Sequence, residues 1–422
     1  MNIYFFNKFI IKIIPYSILF AFILIKIFDL SFYNSLSILA IVFFFISKVS
    51  IPSFRVKNYT NYILLFGLYV ILSDVFIGKN FDFYRMIVKN RYLSFYCLCN
   101  IIENTKLKKE EILKMINPLF ILIIISFIVI LIQQIVNPSF LVRVENEKLN
   151  IESTKTEIRL FSIFTWASIG DLALYFVPIS YLVTSYFLTK KKFNLAFLIL
   201  ILAVLTIFLS KSRGTLLAVV PMFFLFSSRI LNLFKSKSIL SFLILLVLIS
   251  GPVYWLGTSL NFNSIIENRI LESDKGNFED KTAYTRIIAI QAFVKFFPEK
   301  PIFGAGNSKY GVGGTGSWNT NLENFLGGRS SQIHVGVLSL FYLYGIVGGI
   351  IYILFYYKLA KRFYSTSKRT LFWGTFWGIM VLPILNLSMD WLEPFSAGIL
   401  LCIVFNKYLN DNISQESASS FA

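Results

Sequence analysis

The chain has one histidine, His334, among 422 residues, and three cysteines. Cys97, Cys99 and Cys402 all lie inside apolar runs, with no metal-ligand spacing and no pairing pattern. That excludes a zinc site of the usual kind and a disulfide framework, and makes all three buried, structural thiols. Charge is scarce too: 15% of residues are charged against 56% hydrophobic, and the mean hydropathy is +0.70. A soluble protein of this size has no way to hide so much apolar surface. The glycines are followed by no Gly-Lys-Ser/Thr, which excludes a P-loop. No internal repeat of the inverted-transporter kind is visible.

What the chain does have is length of apolar sequence. Runs of about 18 or more apolar residues recur, the signature of transmembrane helices. In lipid every backbone polar group needs an internal partner, so helices are the economical solution. Twelve spans are expected, over 9–27, 30–47, 59–78, 82–102, 116–136, 160–188, 193–209, 213–230, 238–257, 333–357, 370–388 and 394–409. The fold class is therefore all-α, a polytopic membrane protein forming one integral membrane domain over 1–410, with a polar tail over 411–422 expected to be disordered. Lys8 and Lys12 flank the first run and no small-residue cleavage site follows, which reads as a retained first helix. The 46 Phe and 22 Tyr suit helix–helix gaps and the lipid–water boundary.

The net charge of +18 would suggest nucleic acid in a soluble chain. Here the basic residues fall in alternate loops: Lys48, Arg55 and Lys57; Lys106 to Lys114; Lys190, Lys191 and Lys192; Arg229 to Lys237; Lys358 to Arg369. That is topology signalling, not a nucleic-acid face, and it puts both termini in the cytoplasm. Two long loops then face outward, 137–159 and 258–332. The second, roughly 75 residues, exceeds ordinary helix connections and is expected to be functional. It opens with a charged stretch, Asn268 to Phe297, that suits a helix. It then turns glycine-rich from Gly304 to Gly328, as a flexible lid or connector would.

Several residues on the outward side break the pattern. Lys211-Ser212-Arg213-Gly214 is a very short outward connection. Arg213 there either snorkels to lipid headgroups or aims its planar fork at a substrate phosphate. Arg286 sits on an amphipathic stretch, Thr282 to Val294, at the outer surface, where an ordinary Arg is a solvated face residue. His334 opens the tenth span, and a neutral imidazole is well matched to taking a proton from a hydroxyl. Arg329, Arg159, Arg269 and the intramembrane carboxylate Asp171 are second-tier candidates. Glu272, Asp274, Glu279 and Asp280 fit no standard metal site.

These residues resemble the bacterial O-antigen ligase/polymerase superfamily. The resemblance rests on Ser212-Arg213-Gly214, on Arg286 followed by Pro301-Ile302-Phe303-Gly304-Ala305-Gly306, and on His334 with Gly345 and Gly348 spaced after it. Val335 stands where the ligase pattern has a small polar residue. The resemblance implies a C-type-like, metal-independent glycosyltransferase with no cofactor, in the bacterial inner membrane with its active site facing the periplasm. It implies an undecaprenyl-diphosphate-linked glycan as donor and a glycan or the lipid A core as acceptor, and leaves room for a chain-length regulator. It gives Arg213 and Arg286 the diphosphate and His334 the role of base. Polymerisation of repeat units is the leading expectation, transfer to lipid A core the close alternative. A lipid-linked oligosaccharide transporter would call for charges across many spans and some repeat symmetry, whereas the unusual residues here cluster on one face.

Overall fold

The computed structural model describes residues 33–51, 53–77, 91–105, 109–136, 140, 162–163, 169–210, 215–222, 282–306, 325, 333, 335–387 and 397–419. Among them there are helices, turns and no strands. The helices are α1 (Tyr33–Ser50), α2 (Asn58–Phe76), α3 (Arg91–Asn104), α4 (Lys109–Ile135), α5 (Ile169–Thr189), α6 (Phe193–Leu209), α7 (Thr282–Phe296), α8 (Gly336–Thr370), α9 (Gly374–Asn386) and α10 (Ala397–Ser419). Residues 215–222 are also helical.

Among the described residues, four helices are long and apolar enough to cross a membrane: Asn58–Phe76, Lys114–Ile135, Leu172–Thr189 and Gly336–Thr370. Their outward faces carry apolar residues at helical spacing, such as Leu65, Leu68 and Leu72 on α2, Ile121, Ile125 and Ile128 on α4, and Ile346, Ile350 and Ile353 on α8. Stripes of this kind belong against lipid tails. Helix α5 is different. Its apolar window is 89% buried against 39% for α2, so α5 is the central post. It is apolar all round, and α4, α6, α9 and α10 pack on its sides.

Expected spans and observed helices differ in places. The sixth span begins later than 160, because Ser162 and Ile163 form a turn. Ser162 takes a left-handed φ of 58°. Its N–H donates to Gln133 Oε1 at 2.8 Å, and Gln133 Nε2 donates back to its carbonyl at 3.0 Å. A buried side-chain amide thus supplies both partners that a helix would have given. The tenth span runs on to Thr370, so Lys358, Arg362 and Lys368 ride on the last turns of α8 rather than on a loop. The tail joins α10, which continues to Ser419, aided by a Lys407–Asp411 pair at 2.8 Å one turn apart. The spans 9–27 and 238–257 lie outside the described residues.

The bundle has two distinct ends. At one, Arg362 meets Glu103 at 2.6 Å, the Arg55 N–H donates to Asn104, the Lys57 N–H donates to Asn100, and Arg369 donates to Asn410. Gly374 packs against Ser185, one turn before Lys190, so that basic turn shares the same end. Basic residues far apart in sequence therefore gather on one side. The opposite end carries the ends of α2, α4 and α6, the start of α5, and α7 with the start of α8.

Candidate functional site at the end opposite the basic loops

Helix α8 is broken near its start. Gly345 has φ 63° and ψ −171°, a conformation reserved for glycine, and the helix resumes at once. Such a break strands backbone groups that a membrane cannot satisfy. The segment Pro301–Gly306 supplies the missing partners. Ile346 N donates to the Pro301 carbonyl at 2.9 Å and Val347 N to the Ile302 carbonyl at 3.2 Å. In return Ala305 N donates to the Tyr342 carbonyl at 2.8 Å and Gly306 N to the Leu343 carbonyl at 2.9 Å. Loop and helix clasp each other through four backbone hydrogen bonds.

The two glycines at the heart of the clasp lie almost in contact. A Cβ on Gly304 would sit 2.5 Å from Gly345 N, and one on Gly345 would sit 2.6 Å from Gly304 N. Both also hold left-handed φ, 79° and 63°. The expected flexible connector is thus, at Gly304 and Gly306, a fixed element. The glycines are there for close approach of two backbones, not for mobility.

Helix α7 leads into this clasp through a short 3-10 turn, Phe297–Glu299. It buries Ala289, Ala292 and Phe296 against Ile333 and Tyr342, with Val335 and Leu338 packed alongside. The small alanines let α7 approach α8 closely. Its other face leaves Ile287, Ile290 and Val294 exposed. Arg286 is half-buried one turn before Ala289, and it has interaction partners. It is not the freely solvated face residue that composition alone would suggest.

The expected site residues can now be placed. The structure packs α7, the helix that carries Arg286, into the cluster that holds Ile333 and Val335, the two neighbours of His334. His334 itself, Arg213, Arg329, Arg159 and Arg269 lie outside the described residues. Asp171 falls in the first turn of α5. The connection that carries Arg213 is anchored on both sides. Ser210, fully buried, ends α6 and donates to the Ile207 carbonyl at 2.6 Å. Beyond it, buried Tyr181 of α5 donates to the Ala218 carbonyl at 2.7 Å. The described segments on either side, α6 up to Ser210 and the helix over 215–222, thus pack on the central post. Cys97, Cys99 and Cys402 are free and buried, as their apolar neighbourhoods required.

Residues 198–353 match the family model described as O-antigen ligase. The matched stretch opens within α6, spans positions 213, 286 and 334, and closes eight residues beyond the break in α8. This match supports the O-antigen ligase/polymerase superfamily and a glycosyltransferase-type activity in a membrane protein. No curated protein matches the chain.

One residue at this end escaped the sequence reading. Tyr69 of α2 donates its hydroxyl to the Phe303 carbonyl at 3.1 Å and to the Tyr344 carbonyl at 2.8 Å. It lies outside the matched stretch and 234 residues from Phe303, and nothing in its local sequence marks it out.

Proposed function

We propose that this protein joins undecaprenyl-diphosphate-linked oligosaccharide repeat units into O-antigen or a related surface polysaccharide at the periplasmic face of the bacterial inner membrane. The observation that best supports this reading is the clasp: it ties the Arg286 helix, the Pro-x-x-Gly-x-Gly segment and the residues flanking His334 into one rigid unit. In the proposed reaction an acceptor sugar hydroxyl attacks the anomeric carbon of the donor. A new C–O bond forms as the bond to the diphosphate oxygen breaks, and undecaprenyl diphosphate leaves. The leaving group gains negative charge, which Arg213 and Arg286 stabilise as fixed guanidiniums in a partly dehydrated site. His334 takes the hydroxyl proton.

The basic end of the bundle faces the cytoplasm in this reading, by the positive-inside rule. The lipid donor enters sideways between helices. Transfer of finished glycan to lipid A core is the second reading, favoured by the description of the matched family. Val335, in place of a small polar residue, favours polymerisation.

A strain lacking the gene tests both. Its lipopolysaccharide, run on a silver-stained gel beside an extract of the lipid-linked glycans, should show a core bearing one repeat with the ladder gone. A bare core with long glycan stranded on the carrier would instead mean ligation. An unchanged gel, with unchanged capsule and other exported glycans, would end the glycosyltransferase reading for this chain. Complementation with Arg213→Ala, Arg286→Ala or His334→Ala should fail to restore the ladder although each variant inserts. A normal ladder from any of them would remove that residue from the mechanism.

A further inference from the structure

We infer that Tyr69 is a positioning residue for the transfer reaction: it locks the clasp between the Pro301–Gly306 segment and the break in α8. The inference rests on the proposed function for its catalytic part, and on geometry alone for its structural part. The break in α8 turns the Ile346 and Val347 amides to the loop, and the loop in return caps the Tyr342 and Leu343 carbonyls through Ala305 N and Gly306 N. The Tyr69 hydroxyl adds to this from a third helix: it lies 2.8 Å from the Tyr344 carbonyl at the break and 3.1 Å from the Phe303 carbonyl on the loop. One phenol O–H, shared between the two, therefore bridges both halves of the clasp.

The ring is built in as well. Gly348 lies one turn beyond Gly345, and a Cβ there would come 2.5 Å from Tyr344 Cβ, 2.7 Å from Tyr69 Cε1 and 3.1 Å from Tyr69 Cδ1. The two glycines of the Gly345-x-x-Gly348 pair have separate jobs. Gly345 breaks the helix and meets the loop backbone. Gly348 leaves room for the Tyr69 ring, which puts the hydroxyl over the break. Tyr69 belongs to α2, which also packs Phe66 edge-on against Tyr344 at 5.5 Å, so the N-terminal part of the chain braces the break with a ring contact and a hydroxyl.

A loosened clasp lets α7 and the start of α8 drift relative to each other, which misplaces Arg286 against position 334. Misplacement slows the chemical step more than it weakens donor binding. Tyr69→Phe keeps the ring over Gly348 and removes only the hydroxyl. Two measurements on the full-length protein in detergent test the idea. Hydrogen–deuterium exchange should show faster exchange of the amides of Ala305, Gly306, Ile346 and Val347, with the α4–α6 amides unchanged. Transfer from a synthetic polyprenyl-diphosphate glycan should show kcat lowered about tenfold and donor KM within about twofold of wild type.

Unchanged exchange in those four amides would overturn Tyr69 as the lock, whatever the reaction is. Faster exchange with unchanged kcat would overturn its positioning role. Wild-type protein that transfers no glycan would count against the proposed function, and the exchange measurement would still decide the structural claim.

Discussion

Two glycines of the same pattern carry different costs. At Gly345 the backbone sits at φ 63° and ψ −171°, and a side chain would run into the Ile302 carbonyl. Gly345→Ala is expected to cost about 3 kcal/mol or more, since strain and overpacking add. At Gly348, which has no left-handed φ, a side chain would meet Tyr344 Cβ at 2.5 Å and the Tyr69 ring at 2.7 Å, so Gly348→Ala carries overpacking without backbone strain and should cost about 1–3 kcal/mol. Unfolding of the purified variants in detergent measures both, and equal losses would show that the backbone contact at Gly345 is not special. Arg286 is a separate case. The packing of α7 rests on Ala289, Ala292 and Phe296, so Arg286→Ala should leave it in place while transfer is lost. Arg286→Lys keeps the charge but not the planar fork, and should restore only part of the polymer ladder.

Between elements, the decisive contact away from the site is Glu103 with Arg362. Glu103 of α3 has a side chain 2% exposed, and Arg362 of α8 meets it at 2.6 Å. Tyr59 of α2 donates to the same carboxylate at 3.0 Å, and the Arg362 guanidinium lies 4.8 Å over the Tyr59 ring. Three helices are joined by one buried charge pair. Removing one partner strands the other, so Arg362→Ala or Glu103→Ala should cost about 3–5 kcal/mol, toward the lower end because Arg362 retains some solvent. Replacing both, as Glu103→Gln with Arg362→Met, should cost clearly less than the two single losses combined. A double-mutant cycle on unfolding midpoints reads the coupling, and additive losses would mean the pair does not act as a unit.

For the molecule as a whole, the expected axis runs from the basic end to the clasp. Arg362 lies 17 residues beyond Gly345 on α8, about 25 Å along the helix axis, close to the thickness of a bilayer core. Cysteines placed at Lys191 and at exposed Glu299 should therefore react with an impermeant maleimide from opposite sides of intact cells. Position 299 is expected to label from outside and position 191 only after lysis. The native thiols are buried and should stay silent. Labelling of both positions from one side would refute the two-ended arrangement.

Composition and pattern alone determined the broad class. Apolar length dictates helices in lipid, alternate basic loops dictate two sides, and the motifs around Arg213, Arg286 and Gly345 carried the family. They did so because hydropathy, charge and backbone-specific glycines act locally. Local signals could not show that α8 continues through Lys358 and Arg362, because charged side chains at a span's end suit a loop or a projecting helix equally. Nor could they show that Gly304 and Gly345 meet. The glycine-rich stretch read as a connector because its purpose lies in a helix about 40 residues further on. Tyr69 was invisible for the same reason. A tyrosine in an apolar span is an ordinary residue until the fold sets it between two carbonyls, one on the broken helix and one on its loop.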